Sequence, residues 1–200
     1  MEFVHEIPNS LSPEVCKDLI TRFEEDPKKY PGMVAAGVAI PSVKRSVDLR
    51  ITENKRFDDL DKVLYDKLKI GLRSYNEYLG KTLNNINNLN SLLNEVFHST
   101  NDTGYQMQRI KKGDFYIWHN DYSPRSDRLV AFIWYLNKIE KGKGGTTDFY
   151  FNKSIQPEEG KLLIFPATWT YFHTGMKNES DDDKYIVTGF IVNPNKGTVS

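Results

Sequence analysis

Residues 105–136 read YQMQRIKKGDFYIWHNDYSPRSDRLVAFIWYL. Three extended runs stand in this stretch: Tyr105 to Ile110, Phe115 to His119 and Leu129 to Leu136. Each is short, rich in aromatic and β-branched residues, and bounded by Gly, Pro, Asp or Lys clusters, as strands separated by turns are. The same pattern continues through Thr147 to Phe151, Lys161 to Phe165, Thr170 to His173 and Tyr185 to Val192. A series of short strands with no intervening helical period predicts a sandwich or jelly roll. No strand–helix alternation is present that would build a parallel sheet.

Toward the N-terminus the character changes. Ser12 reads as a helix N-cap with Pro13 at the first helical position. Val15, Cys16, Leu19, Ile20 and Phe23 then fall on one helical face. A second amphipathic stretch runs from Asp58 to Leu79 through Leu60, Val63, Leu64, Leu68, Leu72 and Tyr75. Met33 to Ile40 and Val47 to Ile51 are extended candidates, and Asn84 to Asn94 is an Asn-rich connection with a short helix beyond it. The expected fold is therefore mainly β with N-terminal helices packed on the outer face of a sheet. The expected organisation is a single domain over 1–200, with a helical support region at 1–100, a β core at 101–193 and a tail at 194–200.

Composition narrows the function. Lys and Arg number 27 and Asp and Glu 27, so the overall field favours no nucleic acid or acidic surface. The single cysteine, Cys16, permits no intrachain disulfide, which suits a reducing compartment. Met1 to Leu11 lacks the apolar run of a signal peptide, and no apolar stretch is long enough to span a membrane. The expectation is a cytoplasmic protein, from a bacterium or a virus-infected cell, with no nucleic-acid or membrane partner. Oligomeric state is not readable from the chain.

His119-Asn120-Asp121, followed by His173 and then Lys184, carries the chemistry. Two imidazoles and a carboxylate form the ligand set that holds a non-haem Fe(II) while leaving positions open. On extended backbone, residues two apart project from one face, so His119 and Asp121 can reach one ion. Closed zinc sites use four ligands and favour Cys, and the one Cys lies in the first helix. No Arg follows His173, and of Lys177, Lys184 and Lys196 only Lys184 begins a strong strand, read as running antiparallel beside the His173 strand. A buried ammonium there pairs with a dicarboxylate cosubstrate. The alternative is that Lys184 neutralises Asp181, Asp182 and Asp183 at a solvated turn. His173, Tyr171 and Trp169 alternate and so share a strand face, lining a cavity or packing. Gly144 and Gly145 either admit a substrate backbone or make a hairpin turn. His5 and His98 are assigned no role.

The pieces QRIKKGDFYIWHND, FIWYLNK, GKGGTTDFYF, GKLLIFPATWTYFHTG and KYIVTGFI, between Gln108 and Val192, resemble the Fe(II)/2-oxoglutarate-dependent oxygenases, most closely the prolyl 4-hydroxylase branch and its small bacterial and phage-type members. VKRSVDLRI is similar to such members less specifically. The resemblance implies a double-stranded β-helix, a form of jelly roll. It implies His119, Asp121 and His173 as Fe(II) ligands and catalytic centre, and Lys184 on the distal carboxylate of 2-oxoglutarate. It places Tyr135 beside that carboxylate and makes Tyr116 an active-site tyrosine. Trp169, Tyr171, Tyr122 and Arg125 are substrate candidates, Trp118 a further wall of an aromatic groove. Ile110 and Phe190 depart from the tyrosine and tryptophan of several relatives, which affects the substrate pocket. The implied reaction consumes 2-oxoglutarate and O2, with ascorbate as reductant, and hydroxylates a prolyl residue of a peptide. A free amino acid or other small molecule is the alternative substrate. Two further readings are a catalytically silent metal-binding jelly-roll module and a cupin-like metal enzyme with no need of Lys184.

Overall fold

The computed structural model describes residues 3–34, 37–89, 91, 93, 100–122 and 127–193. The first helix, α1, spans Pro13–Glu25 after β1 (His5–Ile7). The Ser12 hydroxyl accepts from the Val15 amide, and Lys29 donates to the Phe23 and Glu24 carbonyls at the far end. Cys16, Leu19 and Phe23, fully buried, form its inner face. The second helix, α2, spans Asp58–Thr82, with Asp58, Asp59 and Asp61 at its N-terminus and Lys81 at its C-terminus, as the helix dipole favours. Leu60, Leu64, Leu68, Tyr75 and Leu79 are its buried stripe.

The remaining strands are β2 (Tyr30–Pro31), β3 (Val47–Arg50), β4 (Asn101–Asp102), β5 (Gln106–Ile110), β6 (Tyr116–His119), β7 (Arg128–Tyr135), β8 (Thr147–Phe149), β9 (Lys153–Ile155), β10 (Leu162–Pro166), β11 (His173–Gly175) and β12 (Lys184–Val192). Among the described residues they form two antiparallel sheets. The major sheet runs β1-β10-β7-β12-β5-β3-β2, with β4 beside β12, and the minor sheet runs β6-β11-β8-β9. The jelly-roll expectation holds, with α1 and α2 on the outer face of the major sheet.

Alternation along the central strands divides the core in two. Val130, Phe132 and Trp134 of β7, with Leu162 and Ile164 of β10, pack outward against the helices. Ala131, Ile133 and Tyr135, with Leu163 and Phe165, point into the space between the sheets. Burial on both faces explains why these strands read as continuous apolar runs. Gly71 of α2 lets the helix settle on β10, since a Cβ there would run into Leu162.

Four expectations need correction. The 1–100 region adds β1 and β2 to the extended run expected at Val47 to Ile51, which forms β3, and these strands complete both ends of the major sheet. Met33 to Ile40 is no strand; its described residues make a turn closed by a Val34–Val38 bridge around Gly37. His173 begins β11 rather than ending a strand from Thr170, because a turn from the Thr168 carbonyl to the Tyr171 amide interrupts the run. β12 does not lie beside the His173 strand: β6 and β8 occupy both edges of β11, and β12 sits between β7 and β5 in the other sheet. His98 and the end of the Asn-rich connection lie outside the described residues.

Candidate metal centre

β6 and β11 pair antiparallel with His119 directly opposite His173. Cross-strand neighbours lie close, and here the imidazole centroids are 4.2 Å apart. Asp121, two residues past His119, brings its carboxylate to 4.0 Å from His119 Nε2 and 3.7 Å from His173 Nε2. One ligand atom from each of the three residues lies within 4.8 Å of the others.

The tautomers are fixed by the backbone. His119 Nδ1 lies 2.8 Å from the Ile117 carbonyl oxygen, and His173 Nδ1 lies 3.1 Å from that of Tyr171. A carbonyl only accepts, so each Nδ1 carries a proton and each Nε2 is left facing Asp121. Ligating histidines are oriented in this way in metal sites. Burial, helped by His173, pushes the His119 imidazole down to about 3, while burial pushes the Asp121 carboxyl up against the pull of His173 and Arg128. Two imidazoles aimed at a desolvated carboxylate form a donor set that a divalent cation satisfies, and the residues present fit Fe(II).

Aromatic rings hold the ligands in place. Tyr116 stacks on His119 with centroids 3.6 Å apart and planes at 16°. Phe165 meets His173 edge-on at 4.9 Å, and Phe149 lies 5.7 Å from it. Burial pushes the Tyr116 phenol up to about 12, with Asp121 adding to the shift.

Lys184 starts β12 on the inward-facing side and is 3% exposed. Its Nζ donates to the Gly145 carbonyl at 2.7 Å, and among the described residues it makes no ion pair. The Asp181–Asp183 run engages other cations, Asp181 taking Lys112 and Asp183 facing Arg109. Lys184 therefore does not serve that turn. Burial lowers its ammonium to about 8, with Asp148 working the other way. Tyr135, on the neighbouring strand and fully buried, donates to the Thr147 hydroxyl at 2.7 Å. Gly144 and Gly145 make neither hairpin nor substrate channel. At φ values of 65° and 68° they press against the Lys177 carbonyl and present the Gly145 oxygen to Lys184.

The substrate candidates scatter. Trp169, 62% exposed, and Tyr122 stand in solvent. Tyr171 is tied elsewhere, its hydroxyl accepting from the Phe3 amide, so Trp169, Tyr171 and His173 do not share one strand face. Arg125 lies outside the described residues. Ile110 and Phe190 both belong to the inner core. Three residues were missed. Thr147 shares the Tyr135 hydroxyl; Arg128 donates to the Asp121 carbonyl at 3.2 Å and lies 3.8 Å over the Phe190 ring; Lys44 lies over Tyr116. Lys44 and Thr147 carried a signal, in VKRSVDLRI and GKGGTTDFYF, and Arg128 carried none.

A family model described as the 2OG-Fe(II) oxygenase superfamily matches residues 105–192. Comparison with curated proteins by sequence returns no match. Among solved structures, the chain is similar to a viral collagen prolyl hydroxylase of Paramecium Bursaria Chlorella virus-1, solved as its 2OG complex, at TM-score 0.66 and 19% identity over 96% of both chains. It is similar to a prolyl hydroxylase of Trichoplax adhaerens, in complex with a hypoxia inducible factor peptide fragment, at TM-score 0.77 and 19% identity over 96% of this chain and 84% of that one. A Pseudomonas putida prolyl-4-hydroxylase aligns at TM-score 0.66 and 13% identity over 96% and 94%. At these identities the structural likeness is one of fold. Residues 105–192 thus match the 2OG-Fe(II) oxygenase superfamily, which supports a dioxygenase, and the fold of the chain is shared with prolyl 4-hydroxylases.

Proposed function

We propose that the chain hydroxylates a C–H bond of a prolyl residue in a peptide or protein. One atom of O2 enters the product and the other enters succinate, formed from 2-oxoglutarate with loss of CO2. The observation that carries this reading is the convergence of His119 Nε2, His173 Nε2 and the Asp121 carboxylate, in a fold that also buries Lys184. The prolyl assignment draws on the prolyl hydroxylases that share the fold, one of them bound to a peptide.

His119, Asp121 and His173 would hold Fe(II), which when bound supplies the redox chemistry coupling 2-oxoglutarate oxidation to C–H hydroxylation. The chain's own work is positional. The Ile117 and Tyr171 carbonyls keep both Nδ1 atoms protonated. Lys184 offers its charge to the distal carboxylate of 2-oxoglutarate, with the Tyr135 and Thr147 hydroxyls beside it. Ile110, Ile133, Phe149, Phe165 and Ile186 form the apolar interior that excludes water. Ascorbate as reductant is what the family resemblance adds, and a cytoplasmic setting is the expectation from the single cysteine and the character of Met1 to Leu11. No described helix is long and apolar enough to cross a membrane.

Anaerobic absorption spectra with Fe(II) test the reading, with and without 2-oxoglutarate. A weak visible charge-transfer band is expected on adding 2-oxoglutarate and is lost in His173→Ala. Prolyl peptides should then gain one oxygen atom by mass spectrometry. A band without any peptide oxidation points to a free amino acid or other small molecule. Iron binding with no band supports the silent-module or cupin-like reading instead.

A further inference from the structure

We propose that Lys44 is a positioning residue of the metal centre: held by Asp48, it braces the Tyr116 ring against the imidazole of His119. The inference rests on the reading of His119 as an iron ligand. Lys44 comes from the N-terminal half, outside the matched segment 105–192. Two backbone hydrogen bonds bring it to β6: the Arg45 amide donates to the Phe115 carbonyl and the Ile117 amide donates to the Val43 carbonyl, which sets Lys44 opposite Tyr116.

The side chain is then locked. Lys44 is 6% exposed, and its Nζ lies 2.8 Å from Oδ2 of Asp48, which has no exposure at all. Asp48 also accepts from the Ser46 hydroxyl at 2.7 Å and the Gln106 amide at 3.2 Å, and Gln106 also donates to the Tyr30 hydroxyl. Gly32 makes room for this stem, since a Cβ there would collide with Ser46 and lie 3.1 Å from Lys44 Cε. A fully desolvated ion pair is a weak source of stability, because desolvation offsets most of the attraction. What it secures is the location of a charge. Here the ammonium sits 5.6 Å from the centroid of Tyr116, on a ring whose other neighbour is His119 at 3.6 Å. A cation over an aromatic ring is attracted to it, so Lys44 fixes the ring and the ring fixes the imidazole plane. The Ile117 carbonyl alone leaves His119 free to swing about its one hydrogen bond. The stack removes that freedom and keeps Nε2 aimed at Asp121.

The test is a double-mutant cycle on the whole chain, read as Fe(II) affinity of the metal-free protein by anaerobic competition with a chelator, without 2-oxoglutarate. Lys44→Met leaves Asp48 buried and unpaired, so the working variant is Lys44→Met with Asp48→Asn, which removes both charges and keeps the shape. It should weaken Fe(II) binding roughly tenfold, at the lower end of what supporting residues of metal ligands contribute. Tyr116→Leu should weaken it comparably, and the combination should be no worse than either change alone. Lys44→Arg, which keeps a cation over the ring, should restore most of the affinity. Unchanged affinity in the neutral pair, or effects that simply multiply in the combination, would overturn the proposal. So would loss of the cooperative thermal transition in the neutral pair, since the ion pair would then be holding the fold. If His119→Ala binds Fe(II) as tightly as the unaltered chain, the metal assignment is what fails.

Discussion

Lys184 is the side chain whose charge the fold leaves unanswered. Its ammonium is buried against a single carbonyl, and burial holds it at about 8 instead of the usual lysine range. Binding the distal carboxylate of 2-oxoglutarate requires the protonated form, and the bound anion raises the ammonium's pKa in the complex. If Lys184 holds that carboxylate as proposed, affinity for 2-oxoglutarate should be flat below about pH 8 and fall above it, as the free protein loses the proton that the complex keeps. The loss is roughly tenfold per pH unit until the pKa of the complex is reached. Titrating the visible band with 2-oxoglutarate between neutral and alkaline pH checks this. Lys184→Arg should remove the slope, because guanidinium stays charged throughout. An alkaline slope that persists in Lys184→Arg would assign the titration to another group. The candidate metal cluster was legible at this scale because the HxD spacing needs only the two-residue period of a strand. The roles of Arg128 and Thr147 were not, since a lone cation or hydroxyl near a strand end has no periodic signature and gains meaning only from what lies across from it.

At the scale of elements, the helix signals were read correctly, whereas two strand readings and the partners of β12 were not. The Ser12–Pro13 cap and the Leu60, Leu64, Leu68 stripe placed both helices, because capping and the helical period are properties of neighbouring residues. β1, β2 and β4 are two or three residues long and exist as strands only because β10 and β3 offer free edges and β12 runs on past its pairing with β5. β12 was placed beside the wrong partner for the same reason: its sequence shows a strand, whereas its neighbours are set by sheet closure. The division of the core does have a measurable consequence. Leu64, fully buried on α2, packs on the outer face of the major sheet, while the metal centre lies between the sheets. Leu64→Ala should cost about 2–5 kcal/mol of stability. The band with Fe(II) and 2-oxoglutarate should keep its position below the new melting temperature. A shifted band at a temperature where the variant remains folded would mean that the helix layer reaches through the sheet to the ligands.

At the scale of the whole molecule, the chain behaves as one cooperative unit if the first hundred residues are structural members of the catalytic half. Several features argue that they are. β1 pairs with β10, and β3 pairs with β5, so strands from the N-terminal half complete both ends of the major sheet. Tyr105, Met107, Phe132, Trp134, Leu162 and Val187, all nearly or fully buried, form an outer sheet face covered by α1, α2 and the segments beside them. Removing the helices would expose this contiguous apolar face, which soluble monomers rarely tolerate. The site would suffer as well, because Lys44 and Asp48 lie against Tyr116 from the N-terminal side. A fragment of residues 101–193 should therefore be insoluble, or fluctuating with no cooperative thermal transition, even though it holds every proposed iron and 2-oxoglutarate ligand. Expression of that fragment beside the whole chain, followed by circular dichroism and the Fe(II) band, decides the matter. If the fragment melts cooperatively and develops the band with 2-oxoglutarate, the N-terminal half is dispensable for folding. It would then be a separate module, and the conserved shape of the major sheet would have to be maintained by β5, β7, β10 and β12 alone.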